Sequence, residues 1–325
     1  MANDLTNDMI INQLNKIISD YIENGTEIDK ILEFTESDGF IDMYEKIIEL
    51  ISDNAVKTID EIMYEKAIEN RAFTQEFLAR HEQKWGKAFI ASEALYICVL
   101  ESTEAFTNYI TENLSVTDNI DVFYALQVIH ARSCQEYLEI LTLNRNGFAD
   151  GAYARWRSMY ELSIITAFIR KYGQKVAKSF LDAADSDDRY EWAREADCFK
   201  KYNKRYITFA AIQQECEFAT KVWRDMYNLS NQVVHASPQG TVYRVGNKKD
   251  INALSVGHSD YGVSISAINS AISLTVVTAD FFSLYPHGDS IVAMSAFSKW
   301  IGKIKKYYQE TEETCFSDDN YCEVM

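Results

Sequence analysis

Proline is almost absent from this chain, because only Pro238 and Pro286 occur among its 325 residues. Proline breaks a helix beyond its first turn, since it lacks an N–H group and its ring clashes with the preceding turn. A chain with so few prolines can form long, uninterrupted helices. Hydrophobic residues make up 47% of the sequence. That fraction supplies enough apolar surface for a core and excludes a disordered chain.

Apolar residues recur at intervals of three and four along most of the chain, which is the spacing of one helix face. The pattern predicts an all-α fold. The predicted helices lie at about 5–22, 28–34, 41–68, 87–113, 120–144, 148–172, 174–184, 188–200, 207–235, 264–285 and 290–310. Thr241–Val245 alternates instead and is followed by Gly246 and Asn247, so a small β-hairpin is predicted within 241–264.

The net charge of −17 is concentrated at the two ends of the chain. Residues 1–80 hold 18 acidic and 7 basic residues, a net charge of −11, and residues 311–325 carry −5. We therefore predict an acidic helical N-terminal region (1–80), a helical core (81–310) and an acidic tail (311–325). Residues 145–224 hold 15 basic and 11 acidic residues, a net charge of +4. The negative total thus argues against a polyanionic ligand at the ends but not in the core.

The N-terminal residues are polar and acidic, unlike a signal peptide, so a cytoplasmic protein is predicted. The apolar stretch 264–284 contains Asn269 and Asp280, which favours a buried core helix over a membrane span. The six cysteines show no zinc-binding spacing. No calcium loop and no phosphate-binding glycine loop is present either. We therefore expect neither a metal ion nor a cofactor.

The predicted helix 148–172 carries the richest polar pattern, which includes Arg155, Arg157 and Glu161. Arg157 and Glu161 are four residues apart and share a helix face. Two interpretations remain open for this pair. It can be an internal ion pair that locks the bundle. Alternatively, Arg157 faces a cleft and binds an anion such as phosphate, while Glu161 orients it.

A second polar pattern ends the predicted helix 207–235. Arg224, Asn228, Asn231 and His235 follow one another at offsets of four, three and four, which places them on one face. The helix C-terminus favours the protonated form of His235, a placement that suits general acid–base catalysis. The alternative is a histidine that caps the terminal carbonyl groups.

The other four histidines receive no catalytic assignment. His130 lies on a half-apolar helix and is predicted to be a core residue with a satisfied imidazole. The remaining three, His81, His258 and His287, are assigned to turns or to the surface.

Two segments together carry a family resemblance: 146–161, NGFADGAYARWRSMYE, and 227–237, YNLSNQVVHAS. An Arg-x-x-x-Glu helix combined with a Tyr-x-x-Ser-x-x-x-x-His helix end resembles an uncharacterised bacterial all-helical family. That family is similar to the HEPN superfamily (higher eukaryotes and prokaryotes nucleotide-binding). The resemblance covers residues 87–240 and implies a helical bundle that is often dimeric. Many HEPN proteins are metal-independent endoribonucleases of toxin–antitoxin, abortive-infection and other anti-phage systems, and others are non-catalytic nucleotide-binding or scaffold modules.

The chain departs from the HEPN ribonucleases in one respect. In those enzymes four to six residues separate an arginine from the histidine, whereas ten residues separate Arg224 from His235 here. Eleven helical steps span roughly 16 Å, which is too far for both side chains of one chain to hold one phosphodiester. A ribonuclease of this sequence would need its cation from Arg157 or from a dimer partner.

Two hypotheses follow. In the first, the chain is an RNA-directed effector of a bacterial defence or toxin-type system. His235, Arg157 and Glu161 would be its catalytic residues, and Tyr227, Asn231 and Arg155 would bind the RNA or nucleotide. In the second, the chain is a non-catalytic scaffold whose acidic N-terminal helices bind a protein encoded in the same gene cluster. A homo-oligomer is predicted in either case.

Overall fold

The computed structural model describes residues 7–113, 119–187, 189–200, 205–216, 221–234, 238–242, 244–246 and 256–316. The chain divides into two compact units, Met1–Gln75 and Glu76–Met325. Across the described ranges every regular element is a helix, so the predicted all-α class is confirmed.

Eleven α-helices lie in the described part of the chain. They are α1 (Asn7–Glu23), α2 (Ile28–Thr35), α3 (Asp38–Asn113), α4 (Ile120–Arg145), α5 (Ala149–Tyr172), α6 (Gln174–Asp182), α7 (Phe209–Gln214), α8 (Lys221–Val234), α9 (Pro238–Val242), α10 (Val263–Phe282) and α11 (Gly288–Phe316). Three short 3₁₀ segments, Ala183–Asp185, Glu191–Glu195 and Asp197–Phe199, lie between α6 and α7.

Helix α3 is a single helix of 76 residues, so the prediction that a separate helical block begins at about residue 87, after the helical region 1–80, is wrong. Gly86 lies inside it, although a glycine in a helix interior costs about 1 kcal/mol relative to alanine. Its neighbours Trp85, Ala88 and Phe89 are almost completely buried in the second unit. Their burial outweighs the local penalty, so the helix continues through the glycine.

Several predicted boundaries also change. The predicted helix 207–235 is divided into α7 and α8, and the predicted helix 188–200 consists of 3₁₀ turns in its described part. Helix α11 extends past 310 to Phe316, whose buried ring stacks on Trp85 at 5.7 Å between centroids. Tertiary contact of one aromatic ring therefore extends the last helix.

The predicted β-hairpin at 241–264 is not seen in the described residues. Thr241 and Val242 end helix α9, which begins at Pro238, and α10 begins at Val263. Residues 244–246 and 256–262 are turns and bends, while 243 and 247–255 lie outside the described residues. Proline suits the first position of a helix, because its missing N–H would have no helical partner there.

The core of the second unit is built from α4, α5 and α10, which pack against one another, with α11 against α10. Trp156 on α5 is completely buried, and its indole Nε1 donates to Ser273 Oγ of α10 at 3.0 Å. The part of α3 within this unit joins the core through Trp85, whose ring lies 5.8 Å from that of Tyr308 on α11.

Helix α10 is the one described helix whose length and apolar composition would allow it to cross a membrane. It serves as the central core helix, and about two thirds of its most apolar window (67%) is buried among the other helices. Its burial accounts for its hydrophobicity.

The first unit has a small aromatic centre. The ring of Phe34 on α2 contacts those of Tyr21 on α1 and Phe40 on α3, at 5.5 and 5.9 Å between centroids. Of the described apolar side chains in this unit, Ile47 and Ile51 are the buried ones. The unit therefore leaves most of its apolar residues in contact with solvent.

Gly147 gives a direct test of the packing at the end of α4. Its φ of +70° is left-handed, and a Cβ there would lie 2.7 Å from Phe77 Cζ and 2.9 Å from the backbone nitrogen of Ser259. Gly257 has a φ of +98° with no atom within 4 Å of its Cβ position. We expect Gly147→Ala to lower the free energy of unfolding by about 3 kcal/mol and Gly257→Ala by about 1 kcal/mol. Urea denaturation followed by tryptophan fluorescence measures both, and equal losses would contradict the close packing.

Candidate functional site

Four of the predicted site residues meet between α5 and α8. Arg157 Nε donates to Asn231 Oδ1 at 2.5 Å, and Arg157 Nη2 donates to Tyr227 OH at 3.2 Å. The same Nη2 lies 3.0 Å from Glu161 Oε1, and the Tyr227 hydroxyl donates to that carboxylate oxygen at 2.8 Å. We call these residues the Arg157 cluster (Arg157, Glu161, Tyr227 and Asn231).

The cluster arises from two pairs of residues, each four positions apart on one helix. Arg157 and Glu161 share a face of α5, and Tyr227 and Asn231 share a face of α8. The two helices pack against each other, so the two pairs face across the interface. The Tyr227 ring stacks on Tyr160 at 4.6 Å between centroids and lies 5.4 Å from the Arg157 guanidinium carbon. An aromatic wall thus fixes one side of the guanidinium.

The cluster is largely desolvated but not closed. The side chains of Glu161 and Arg157 are 13% and 25% exposed, and Tyr227 is buried. Burial and the nearby Glu161 carboxylate raise the pKa of Tyr227, so its hydroxyl keeps its proton and donates a hydrogen bond to Glu161. Arg157 Nη1 has no hydrogen-bond partner among the described residues. One edge of a rigidly held guanidinium is therefore left for a ligand.

Arg155 does not join the cluster. It lies on a different face of α5 and pairs with two carboxylates of α4, Glu139 and Glu136. Glu136 is almost completely buried, and burial raises the pKa of this carboxyl group even though Arg155, Ser158 and Arg132 contact it. Arg155 thus belongs to a network that ties α5 to α4, which leaves its predicted role in substrate binding without structural support.

The predicted polar face of helix 207–235 is only partly retained. Asn231 belongs to the cluster, whereas Arg224 and Asn228 are exposed on α8 and, among the described residues, bond to none of its members. His235 directly follows Val234, the last residue of α8, and lies outside the described residues.

His130 is a core residue, as predicted. It is buried, and its Nε2 lies 3.0 Å from Thr278 Oγ1 of α10. Cys134 Sγ is 3.8 Å from His130 Nδ1. Burial lowers the pKa of His130 to about 4 and raises that of the Cys134 thiol to about 12. Both side chains are therefore neutral at pH 7, which excludes an activated thiolate–imidazolium pair.

The assignment of His81 to a turn or to the surface is wrong. His81 is completely buried on α3, with Nδ1 2.7 Å from Asp260 Oδ1 and Nε2 2.8 Å from the Asn144 carbonyl oxygen. Burial raises the pKa of Asp260, but the hydrogen bonds from His81 and Lys84 outweigh it and lower that pKa. Both ring nitrogens of His81 therefore lie against oxygen atoms, one of a carboxylate and one of a backbone carbonyl.

A sequence signal for the burial of His81 was present. The residue lies four positions after Phe77 and four before Trp85, at the spacing of one helix face, and its ring stacks on that of Phe77 at 5.0 Å. Its partner Asp260 is 179 residues away in the chain, so the pair itself could not be read from local spacing.

The described part of the chain contains no group of three His, Cys, Asp or Glu side chains arranged to hold a metal ion. The Arg157 cluster offers hydrogen-bond donors and one carboxylate. Its chemistry suits an anion better than a cation.

Comparison with known proteins gives one partial match. Residues 123–222 are similar to a family of unknown function, DUF5677. The matched region includes Arg157 and Glu161 but ends before Tyr227 and Asn231. No curated protein and no solved structure matches the chain. The match thus covers the α5 half of the cluster and carries no activity with it.

Burial of neutral His130 predicts a pH dependence of stability. The unfolded imidazole takes up a proton near pH 6.5, whereas the folded one does so only near pH 4. Its contribution to stability is therefore complete above pH 6.5 and is lost as the pH falls towards 4. Between pH 7.5 and pH 5 we expect this residue to lower the free energy of unfolding by about 2 kcal/mol.

Urea denaturation of the wild type and His130→Gln at both pH values measures this contribution as a difference between the two chains. Burial raises the pKa of Asp280 to about 6, so this residue changes stability in the opposite direction over the same range. The effect of Asp280 on stability is the same in the wild type and in His130→Gln, so it cancels when the two chains are compared. An equal pH dependence of the two chains would contradict a neutral, buried His130.

Proposed function

We propose that this chain is a HEPN-like effector of a bacterial defence or toxin-type system that binds RNA and cleaves it without a metal ion. The observation that carries the proposal is the Arg157 cluster. A guanidinium is held there by three side chains from two helices, and a quarter of its side chain is exposed. Such a fixed, always charged donor suits the binding of a phosphate group.

The four residues of the Arg157 cluster have different roles in this proposal. Arg157 contacts the phosphate, and its charge stabilises the additional negative charge of the pentavalent transition state. Glu161, Asn231 and Tyr227 hold the guanidinium and act as positioning residues. This modifies the sequence-based assignment, in which Asn231 and Tyr227 themselves position the phosphate.

The proposed reaction is an internal transesterification. The ribose 2′-hydroxyl attacks the adjacent phosphorus and loses its proton to a base, and the bond from phosphorus to the 5′ oxygen breaks. The leaving oxygen takes up a proton, so the products are a 2′,3′-cyclic phosphate and a free 5′-hydroxyl. His235 is proposed as the general acid–base group, because a histidine imidazole ordinarily exchanges a proton near neutral pH.

The proposed cleavage needs a positively charged side chain at the phosphate, and its position decides whether one copy of the chain can form the complete site. Arg224 is exposed and bonds to no described member of the cluster. Arg157 is therefore the proposed cation, supplied to His235 of the same chain or of a second copy in a homodimer. The net charge of +4 over residues 145–224 favours a polyanionic ligand on this part of the chain.

Cleavage of tRNA and total RNA in the presence of EDTA tests the proposal. We expect the wild type to produce fragments that end in 2′,3′-cyclic phosphate. His235→Ala should slow cleavage by about 10²-fold or more, because acid–base catalysis contributes that much. Arg157→Lys keeps the charge but loses the forked geometry, and should slow cleavage more than Arg224→Lys, the matched control. RNA that stays intact with the wild type and with His235→Ala alike would contradict the nuclease proposal.

A second candidate function is a non-catalytic interaction protein, and a different observation favours it. The first unit leaves large apolar side chains exposed along α3, among them Val56 at 64% and Phe73 at 69%. In this candidate the Arg157 cluster fixes α5 against α8, and the first unit binds a protein partner. Intact RNA with every chain in the cleavage experiment would favour this candidate.

A further inference from the structure

A row of aromatic rings leads away from the Arg157 cluster. The ring of Tyr227, a member of the cluster, lies 5.4 Å from that of Phe209, and the Phe209 ring lies 6.2 Å from that of Tyr190. Tyr227 is buried, whereas Phe209 and Tyr190 pack against the core with part of each side chain exposed to solvent. We call the two outer residues the aromatic pair (Tyr190 and Phe209).

The backbone on either side holds the aromatic pair in place. Trp192 is buried, and its indole Nε1 donates to the carbonyl oxygen of Arg189, the residue before Tyr190, at 3.1 Å. Phe209 is the first residue of α7, and the side chain of Thr208 caps that helix. The two rings are therefore positioned by the fold before any ligand binds.

The Tyr190 hydroxyl lies within the electrostatic influence of the Arg157 cluster. Burial and the Glu161 carboxylate raise its pKa, while the guanidinium groups of Arg189 and Arg157 lower it. The net pKa is raised, so the hydroxyl stays protonated at neutral pH. It has no hydrogen-bond partner among the described residues. An uncharged, partly exposed ring thus lies near the guanidinium that is proposed to bind a phosphate.

Arg189 supplies a second cation at the outer end of the row. Its side chain is exposed, its guanidinium carbon lies 5.7 Å from the centre of the Tyr190 ring, and it forms no ion pair with a described residue. A cation therefore lies against each end of the row, because Arg157 contacts the Tyr227 ring. Aromatic rings flanked by cations are typical of sites for single-stranded nucleic acid, whose bases stack on rings and whose phosphates need positive charge.

We propose that the aromatic pair binds an unpaired RNA base next to the phosphate held by Arg157, and that Arg189 contacts a neighbouring phosphate of the same strand. The ligand is single-stranded RNA, because the bases of a duplex are stacked on one another and cannot be splayed onto protein rings. A free mononucleotide would leave Arg189 without a second phosphate. The inference rests on the proposed binding of RNA by Arg157 and adds the kind of RNA and the residues that select it.

The probe is a fluorescein-labelled single strand of roughly ten nucleotides, a length that covers one binding groove. Its 2′-O-methyl groups block the attacking hydroxyl. Binding to the full-length chain is measured by fluorescence anisotropy in EDTA, with the duplex of the same strand as the comparison. We expect the single strand to bind about tenfold more tightly than the duplex, since its bases are free to stack. Unlabelled adenosine monophosphate should compete far less well than the unlabelled strand.

Substitutions of two tyrosines separate the stacking ring from a ring elsewhere on the surface. Tyr190→Leu removes the aromatic face but keeps an apolar side chain, and Tyr190→Phe keeps the ring. Tyr206→Leu is the matched control. Tyr206 is exposed and also follows an arginine, Arg205, whose guanidinium carbon lies 5.0 Å from its ring, and no other described ring contacts it. We expect Tyr190→Leu to weaken binding of the single strand about fivefold or more, because one stacked base contributes that much. Tyr190→Phe and Tyr206→Leu should bind like the wild type.

Arg189→Gln tests the second phosphate contact, with Arg205→Gln as its control. The logarithm of the binding constant falls with the logarithm of the salt concentration, by about 0.7 for each phosphate contacted on a single strand. We expect Arg189→Gln to reduce this slope by about 0.7 and Arg205→Gln to leave it unchanged. Circular dichroism verifies that each variant folds like the wild type.

Three results would overturn the inference: equal binding of single strand and duplex, equal binding by Tyr190→Leu and Tyr206→Leu, or equal competition by the mononucleotide and the strand. If Tyr190→Leu does not fold, the strand preference of the wild type and the salt dependence of Arg189→Gln decide. Failure of the proposed function gives a different result, because Arg157→Gln would then bind RNA as well as the wild type does.

Discussion

The position of α8 against α5 depends on one half-buried guanidinium. A charge in a desolvated site must be paired and hydrogen-bonded, because an unpaired one would cost several kcal/mol. Glu161, Asn231 and Tyr227 together meet this requirement for Arg157. Because two of the four cluster residues come from each helix, the cluster sets the register of α5 and α8. It also leaves one guanidinium edge for a ligand.

The two units of the chain have different chemistry. The second unit buries an apolar core of α4, α5 and α10 and carries the positive region around Arg157. The first unit is strongly acidic and leaves large apolar side chains on α3 exposed. A proposed anion site and a proposed protein-binding surface therefore lie on separate units. Neither use of the chain requires the other.

Local patterns predicted those features that local forces determine. The scarcity of proline and the helical spacing of apolar residues predicted the helices, and a spacing of four predicted the Arg157–Glu161 pair. The features that local patterns did not predict depend on packing between residues that are far apart in the chain. Gly86 remains helical because Trp85 and Phe89 are buried, and His81 is buried in contact with Asp260, which is 179 residues away in the chain. Likewise, nothing local indicated that Arg155 would turn to α4 instead of joining Arg157.

A crystal structure of the wild type with a 2′-O-methyl dinucleotide shows directly whether Arg157 binds an RNA phosphate. The methyl group blocks the attacking oxygen, so the substrate stays intact. We expect a phosphate oxygen within hydrogen-bond distance of the Arg157 guanidinium, with Glu161 and Asn231 still bonded to that guanidinium. A phosphate bound elsewhere, with the Arg157 cluster unchanged and without a ligand, would contradict the role proposed for Arg157.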